Sequence, residues 1–357
     1  MSDRLNRLRQ IIAREELDAL IVTQPENRRY VSGFTGSAGV LVISAEHALL
    51  VTDFRYYEQV GVQAPAFDLV RVIDSPTRAL AEALAPLGFT RLGFESHDLS
   101  VQTFDQWRAA IPDVEWVPTS GLVEELRQIK DADEIYAIEQ AVRIADEAMA
   151  HLMEWIRPGV TEKEVTWELE VAMRTRGAEK MSFSPIVAAG PRSAMPHAVP
   201  TDRPIQAGEP IVIDMGALFD GYCSDITRSF CVGHADDEYR RIWDTVLRAQ
   251  LAAEEAVIAG LSGIEADAAA RDVIYGAGYT GKFEHGLGHG VGLAIHESPR
   301  ASRTSTDTLQ AGTVITIEPG IYLPGWGGIR IEDIVVVTDE GCRVLTAAAK
   351  KPVIGTD

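Results

Sequence analysis

Apolar and polar positions alternate between helical and strand spacing through the first ~120 residues, the pattern of an α/β domain. Residues 4–15 predict a helix, residues 19–23, 40–43 and 48–52 predict strands, and residues 77–87 and 100–110 predict further helices. The turn-forming run Pro118-Thr119-Ser120-Gly121 then sets an expected boundary, giving a first domain over 1–121 and a second over 122–357. In the second, Ile135, Ile138, Val142, Ala145, Met149 and Leu152 recur every three or four residues and mark a long amphipathic helix starting near Asp133. Such a stripe is core, not a cofactor-binding feature. Thr161 and Glu164 form a capping box that opens another helix, expected to stop near Gly177, and a third runs over 237–259 ahead of Gly260. No short tandem repeat or low-complexity tract interrupts these elements.

Composition narrows the class without naming a chemistry. The 357 residues are 46% hydrophobic and 24% charged, which suits a globular chain with a sizeable core. A formal charge of −20 argues against a nucleic-acid partner, because neutralising phosphates needs a basic surface. Three cysteines, Cys223, Cys231 and Cys342, lack metal-pair spacing and predict no disulfide, hence a reducing compartment. The start Met1-Ser2-Asp3-Arg4-Leu5 has no apolar leader, and no later apolar run is long enough to span a bilayer, so the expected location is cytoplasmic.

Five residues carry the candidate chemistry. Asp214 lies at the end of the run Ile211-Val212-Ile213, and Asp225 lies in Tyr222-Cys223-Ser224-Asp225-Ile226-Thr227, with the turn signal Asp220-Gly221 between them. In the hairpin this predicts, Phe219 faces Tyr222, Asp214 faces Thr227 and Asp225 faces Gly216, so the two carboxylates share one face roughly 7–8 Å apart at Cα. Carboxylates reaching toward each other there call for a cation between them. The segment His285-Gly286-Leu287-Gly288-His289-Gly290-Val291-Gly292 is a poor helix and a poor strand, yet its glycines allow close backbone approach around two histidines. Glu318 ends the strand-like Ile315-Thr316-Ile317, and a period of two across 329–337 places Arg330 and Glu332 on one face. Each piece alone could be a charged, solvated edge; together they look like a dinuclear metal site.

With these residues in place, the chain resembles the creatinase/aminopeptidase P/prolidase family of pita-bread metallopeptidases. The resemblance rests on the ordered set Asp214, Asp225, His289, Glu318 and Glu332, and on the N-terminal motifs Gly33-Phe34-Thr35-Gly36-Ser37-Ala38-Gly39 and Thr52-Asp53-Phe54-Arg55-Tyr56-Tyr57. It implies an α/β (α+β) architecture, a C-terminal pita-bread domain behind a smaller creatinase-like N-terminal domain, commonly assembled as a homodimer. It also implies that Asp214 chelates one metal, that His289 and Glu318 bind the other, and that Asp225 and Glu332 bridge both. Four carboxylates and one imidazole favour Mn²⁺, with Co²⁺ or Zn²⁺ also acceptable. Two such ions can acidify a shared water for amide hydrolysis. The resemblance further assigns proton transfer to Glu318, catalytic contacts to His197 and His296, and substrate contacts to His285, Tyr322 and Arg330. Arg330 also reads as a group that orients the carboxylates.

The expected substrates are therefore short proline-containing peptides. The N-terminal motifs look most like the aminopeptidase P branch, which removes a residue preceding proline; the alternative is an Xaa-Pro dipeptidase. A dipeptidase needs a cation for the free carboxylate after proline, and Arg55, Arg192 and Arg303 are candidates. Creatinase-type and methionine aminopeptidase-type chemistry fit less well, given the full ligand set and the N-terminal domain. A catalytically dead binding module would be marked by a missing ligand, and none is missing.

Overall fold

The computed structural model describes residues 2–355 and divides the chain into two units, 1–127 and 128–357. In the first, helix α1 (Ser2–Arg14) leads into strand β1 (Ala19–Val22), followed by α2 (Pro25–Ser32), β2 (Val40–Ser44), β3 (Ala48–Asp53) and α3 (Tyr57–Gln63). Then come β4 (Asp68–Val72), α4 (Pro76–Leu84), β5 (Arg91–Glu95), α5 (Val101–Ala110), β6 (Glu115–Thr119) and α6 (Leu122–Arg127). The strands form one mixed sheet in the order β4-β3-β2-β1-β5-β6. Every residue of β1 is buried, as a central strand covered on both faces requires. Ile21, Val42, Leu80, Phe94 and Trp107 belong to its core.

Helix α6 packs with the first unit. Val123 and Leu126 are buried, Arg14 makes a two-pronged ion pair with Glu125, and Tyr30 donates to the Leu126 carbonyl. The glycine-rich motif after α2 is held from inside. Arg28, itself buried, donates to the carbonyls of Gly36 and Gly39.

The second unit starts with the long helix α7 (Ala132–Trp155) and α8 (Glu162–Thr175), both opened by capping boxes, from Asp131 and from Thr161. The strands that follow are β7 (Lys180–Met181), β8 (Ile186–Ala189), β9 (Ile211–Met215), β10 (Ala217–Phe219), β11 (Tyr222–Cys223) and β12 (Ile226–Val232). Helices α9 (Asp237–Ala256) and α10 (Gly263–Gly276) come next. The remaining strands are β13 (Gly288–Gly290), β14 (Glu297–Ala301), β15 (Val314–Ile317), β16 (Gly320–Leu323), β17 (Gly327–Arg330), β18 (Asp333–Thr338), β19 (Gly341–Val344) and β20 (Val353–Ile354).

Two larger sheets result, β20-β12-β9-β8 and β14-β13-β15-β18-β19. Each has its own apolar layer. Helices α7 and α8 share a core with Ile211, Ile213 and Phe230 of the first sheet, and α9 and α10 share one with Ile315, Ile317 and Val335 of the second. The sheets meet where the Glu332 N–H donates to the Thr227 carbonyl and the buried Arg228 guanidinium donates to the carbonyls of both Thr227 and Glu332. Among the described residues no helix is long and apolar enough to cross a membrane, and the three cysteines are free thiols.

Candidate metal centre

The hairpin expected around Asp220-Gly221 is present. Phe219 pairs with Tyr222 and Asp214 with Thr227, and the turn residues adopt φ of +44° and +70°, the left-handed pair of a tight two-residue turn. This register puts Asp214 on β9 and Asp225 at the entry to β12 on a common face. From the second sheet, β13 supplies His289 and the end of β15 supplies Glu318, while Glu332 lies between β17 and β18. Residues 329–337 are therefore not the single strand expected from their period-two pattern: Arg330 ends the β16–β17 hairpin, and Ile331 and Glu332 lie outside any strand before β18 begins at Asp333. Gly288 explains how a glycine-rich segment serves as a strand. A Cβ there would lie 1.9 Å from the Thr316 carbonyl oxygen, so only glycine lets β13 approach β15 this closely.

Ligand atoms of Asp225, His289 and Glu332 lie within 4.8 Å of one another, all three residues buried. His289 Nε2 is 3.6 Å from Asp225 Oδ2 and 3.5 Å from Glu318 Oε1. Nδ1 of His289 lies 3.1 Å from the Gly290 carbonyl, to which it can only donate, so a neutral ring turns the Nε2 lone pair toward the carboxylates. Burial, together with the nearby Arg300 and His296, favours that neutral form, lowering the imidazole to about 4. Burial first, then their carboxylate neighbours, holds Asp225 and Glu332 well above the ordinary carboxylate range. Burial and Asp214 push Glu318 up to about 8, against the lowering effect of Arg330. Asp214 Oδ1 is buried without a hydrogen-bond partner. Acceptors thus face acceptors, and the arrangement fits oxygen-preferring divalent cations in the middle.

The protein supplies limited positive charge of its own. Arg330 donates to Asp214 Oδ2 at 2.7 Å, to Thr227 Oγ1 at 2.9 Å and to the Tyr322 hydroxyl at 2.8 Å. Thr227 in turn donates to Glu332 Oε2 at 2.6 Å. Arg330 thus bonds directly to the Asp214 carboxylate and is linked to that of Glu332 through Thr227. Tyr322 donates to His285 Nε2 at 2.9 Å, while His285 Nδ1 donates to the Gly286 carbonyl, so both His285 nitrogens are engaged. Burial lowers His285 to about 3, and it stays neutral.

All ten expected site residues except Tyr322 line one cavity of about 560 Å³, and Tyr322 adjoins it through His285 and Arg330. His197 and His296 are exposed on its rim, and the His296 ring stands edge-on to His289 with centroids 4.4 Å apart. The apolar part of the wall includes Phe183, Pro185, Ile186, Pro196 and Ile295. Arg300 also lines the cavity, and its guanidinium makes no ion pair or hydrogen bond among the described residues; it was not among the arginines picked from the sequence. Those three are engaged elsewhere: Arg55 with Asp53, Arg192 with Glu162 and the Val199 carbonyl, and Arg303 3.5 Å from Glu284. A clue was present in the sequence, since Arg300 lies four residues beyond His296 on the strand that pairs with the His289 strand.

Known proteins resemble this chain over both units. Residues 136–339 match the metallopeptidase family M24 model, and residues 4–129 match the creatinase/prolidase N-terminal domain. A solved structure of an Xaa-Pro dipeptidase from Bacillus anthracis is 44% identical, superposes with a TM-score of 0.97 and covers 99% of each chain. An X-Pro aminopeptidase structure from Thermotoga maritima is 37% identical with a TM-score of 0.90, covering 97% of this chain and all of that one. The Xaa-Pro dipeptidase of Pyrococcus furiosus is 37% identical, over 98% of this chain and 99% of its own. The pita-bread fold with a creatinase-like N-terminal domain is thus shared along essentially the whole length, and the chain belongs to metallopeptidase family M24.

Proposed function

We propose that this protein is an Xaa-Pro peptidase whose preferred substrates are Xaa-Pro dipeptides. The observation that carries the dipeptide preference is Arg300, an unengaged guanidinium in the wall of the cavity that also holds the five metal donors. A free carboxylate directly after proline is the group such a cation captures, with two parallel N–H donors available. The N-terminal motifs led to an expected aminopeptidase preference, and solved relatives of both kinds match this chain across both domains, so the dipeptide reading rests on Arg300, with support from the Xaa-Pro dipeptidase at 44% identity.

In this reading Asp214, Asp225, His289, Glu318 and Glu332 hold two divalent ions, Mn²⁺ by donor chemistry, and the enzyme is a cytoplasmic homodimer. Divalent ions held there supply Lewis acidity toward the scissile carbonyl and acidify water. The residues do the rest. Glu318 accepts a proton from the attacking water and returns it to the proline nitrogen as the amide bond breaks. His296, whose pKa is lowered by burial and by the nearby Arg300 and His197, offers a neutral N–H to the oxygen that gains charge. His197 faces the same cavity as a second donor. Arg330 fixes the carboxylate of Asp214 and, through Thr227, that of Glu332.

The test compares matched Xaa-Pro and Xaa-Pro-Xaa substrates with metal-loaded protein, for wild type and Arg300→Met. The expected result is cleavage of the dipeptide at least about tenfold faster by wild type, with the preference lost in the variant; that ratio corresponds to about 1.4 kcal/mol of transition-state binding. Faster cleavage of the tripeptide by wild type restores the aminopeptidase reading.

A further inference from the structure

His296 poses a positional problem. Its ring is exposed, stands edge-on to His289 and makes no hydrogen bond among the described residues, so no directional bond from the ring fixes it there. Its place must come from the backbone that carries it. That backbone is the loop from Val291 to His296, which leaves β13 at Gly290 and re-enters β14 at Glu297, with Gly290 paired to Glu297 across the ladder and a register shift next to His289.

The Glu297 side chain fills the inside of that loop. Its Oε1 accepts the Ala294 N–H at 2.9 Å, and its carboxylate oxygens lie 2.6 and 2.7 Å from where a Cβ on Gly292 would stand. The Gly292 carbonyl accepts the Cys223 N–H, and the Gly292 N–H donates to the Ala294 carbonyl. The carboxylate is balanced by Lys130, whose Nζ is 3.0 Å from Glu297 Oε2, with the two side chains only 1% and 6% exposed. Lys130 is itself anchored, since its backbone N–H donates to the Gly312 carbonyl. A buried carboxylate stripped of its counter-charge is costly and turns toward solvent or takes a proton, and either change releases the loop.

We infer that the buried Lys130–Glu297 pair consists of positioning residues for His296: it sets the Gly292–Ile295 loop and so places the His296 ring over the reacting carbonyl. This inference rests on the Xaa-Pro peptidase reading of the same site. A shift of about 1 Å in such a group costs on the order of 100-fold in rate, so the pair's effect belongs in kcat.

The experiment measures kcat, KM, metal content and thermal stability for wild type, Lys130→Met, His296→Ala and the double variant on an Xaa-Pro dipeptide. Lys130→Met is expected to lower kcat by roughly 10- to 100-fold with KM and metal content close to wild type. In the His296→Ala background the same substitution is expected to lower stability but to take nothing further from kcat, because a residue acting through His296 has nothing left to position. A purely structural role would make the losses multiply. If Lys130→Met fails to fold, Glu297→Gln is measured against the same criteria. Multiplicative losses in kcat, or a single variant within about threefold of wild type, overturn the inference while leaving the peptidase reading intact. Failure of wild type to cleave any Xaa-Pro peptide overturns both.

Discussion

Buried carboxylates in the two units are treated in opposite ways. In the N-terminal unit, Glu95 is 3% exposed and its burial raises its pKa, but protein donors satisfy it on every side. The backbone N–H groups of Thr23 and Gln24 donate to Oε2 at 2.6 and 2.7 Å, and the Asn27 amide donates to Oε1 at 2.6 Å. Those backbone donors lie on the two residues just before α2, so the carboxylate fixes the chain at the point where it enters that helix. In the second unit, Asp225 and Glu332 are as deeply buried, yet they face Glu318, Asp214 and the lone pair of His289, and against these acceptors Glu332 has the Thr227 hydroxyl as a donor. Two buried acids of ordinary composition thus read differently once their partners are counted. Satisfied, the acid belongs to the architecture; unsatisfied among other acids, it marks a place for a cation.

The contrast predicts that changing acid to amide has opposite consequences in the two regions. Glu95→Gln must turn an NH₂ group toward the Asn27 amide or toward the Thr23 and Gln24 N–H groups, so it should destabilise the protein by about 2–3 kcal/mol at neutral pH. Denaturant unfolding measures this. An unchanged stability would erase the distinction drawn here.

Much of the site was legible because its signals are local. Asp220-Gly221 determines the β9–β12 register, since left-handed turn residues admit few alternatives, and that register brings Asp214 and Asp225 onto one face. The capping box at Thr161 likewise located α8. What escaped was encoded nonlocally or weakly. Helix α2, with the polar sequence Pro-Glu-Asn-Arg-Arg-Tyr-Val-Ser, has no amphipathic stripe to announce it. Helix α10 carries a Ser262–Glu265 capping box that could have revealed it, but its apolar face is largely alanine. Arg300 and Lys130 acquire their meaning only when distant strands meet, as no spacing rule links residue 130 to residue 297.

A smaller effect sharpens the same comparison at the surface of the N-terminal unit. Asp18 accepts the backbone N–H groups of Thr90 and Arg91, and these bonds hold its carboxyl below the ordinary range. A depressed folded pKa means that Asp18 contributes stability above its unfolded pKa and loses that contribution as pH falls through the folded value. Asp18→Asn should therefore be less stable than wild type at pH 7, with the gap closing in acid. Because Asp18 is exposed, the gap should be small; a gap that widens as pH falls would reverse the assigned sign.

The most direct test of the central claim is the unfolding free energy of wild type and Asp225→Asn, each stripped of metal and then titrated with Mn²⁺. Without metal, the variant should be the more stable by about 1–2 kcal/mol, because it removes an acid whose ionisation burial and its carboxylate neighbours disfavour in the folded state. With Mn²⁺ at about a thousand times its dissociation constant, wild type should gain about 4 kcal/mol while the variant gains little. A metal-free variant less stable than wild type, together with no response of wild type to Mn²⁺, would contradict the assignment of these carboxylates to a metal centre.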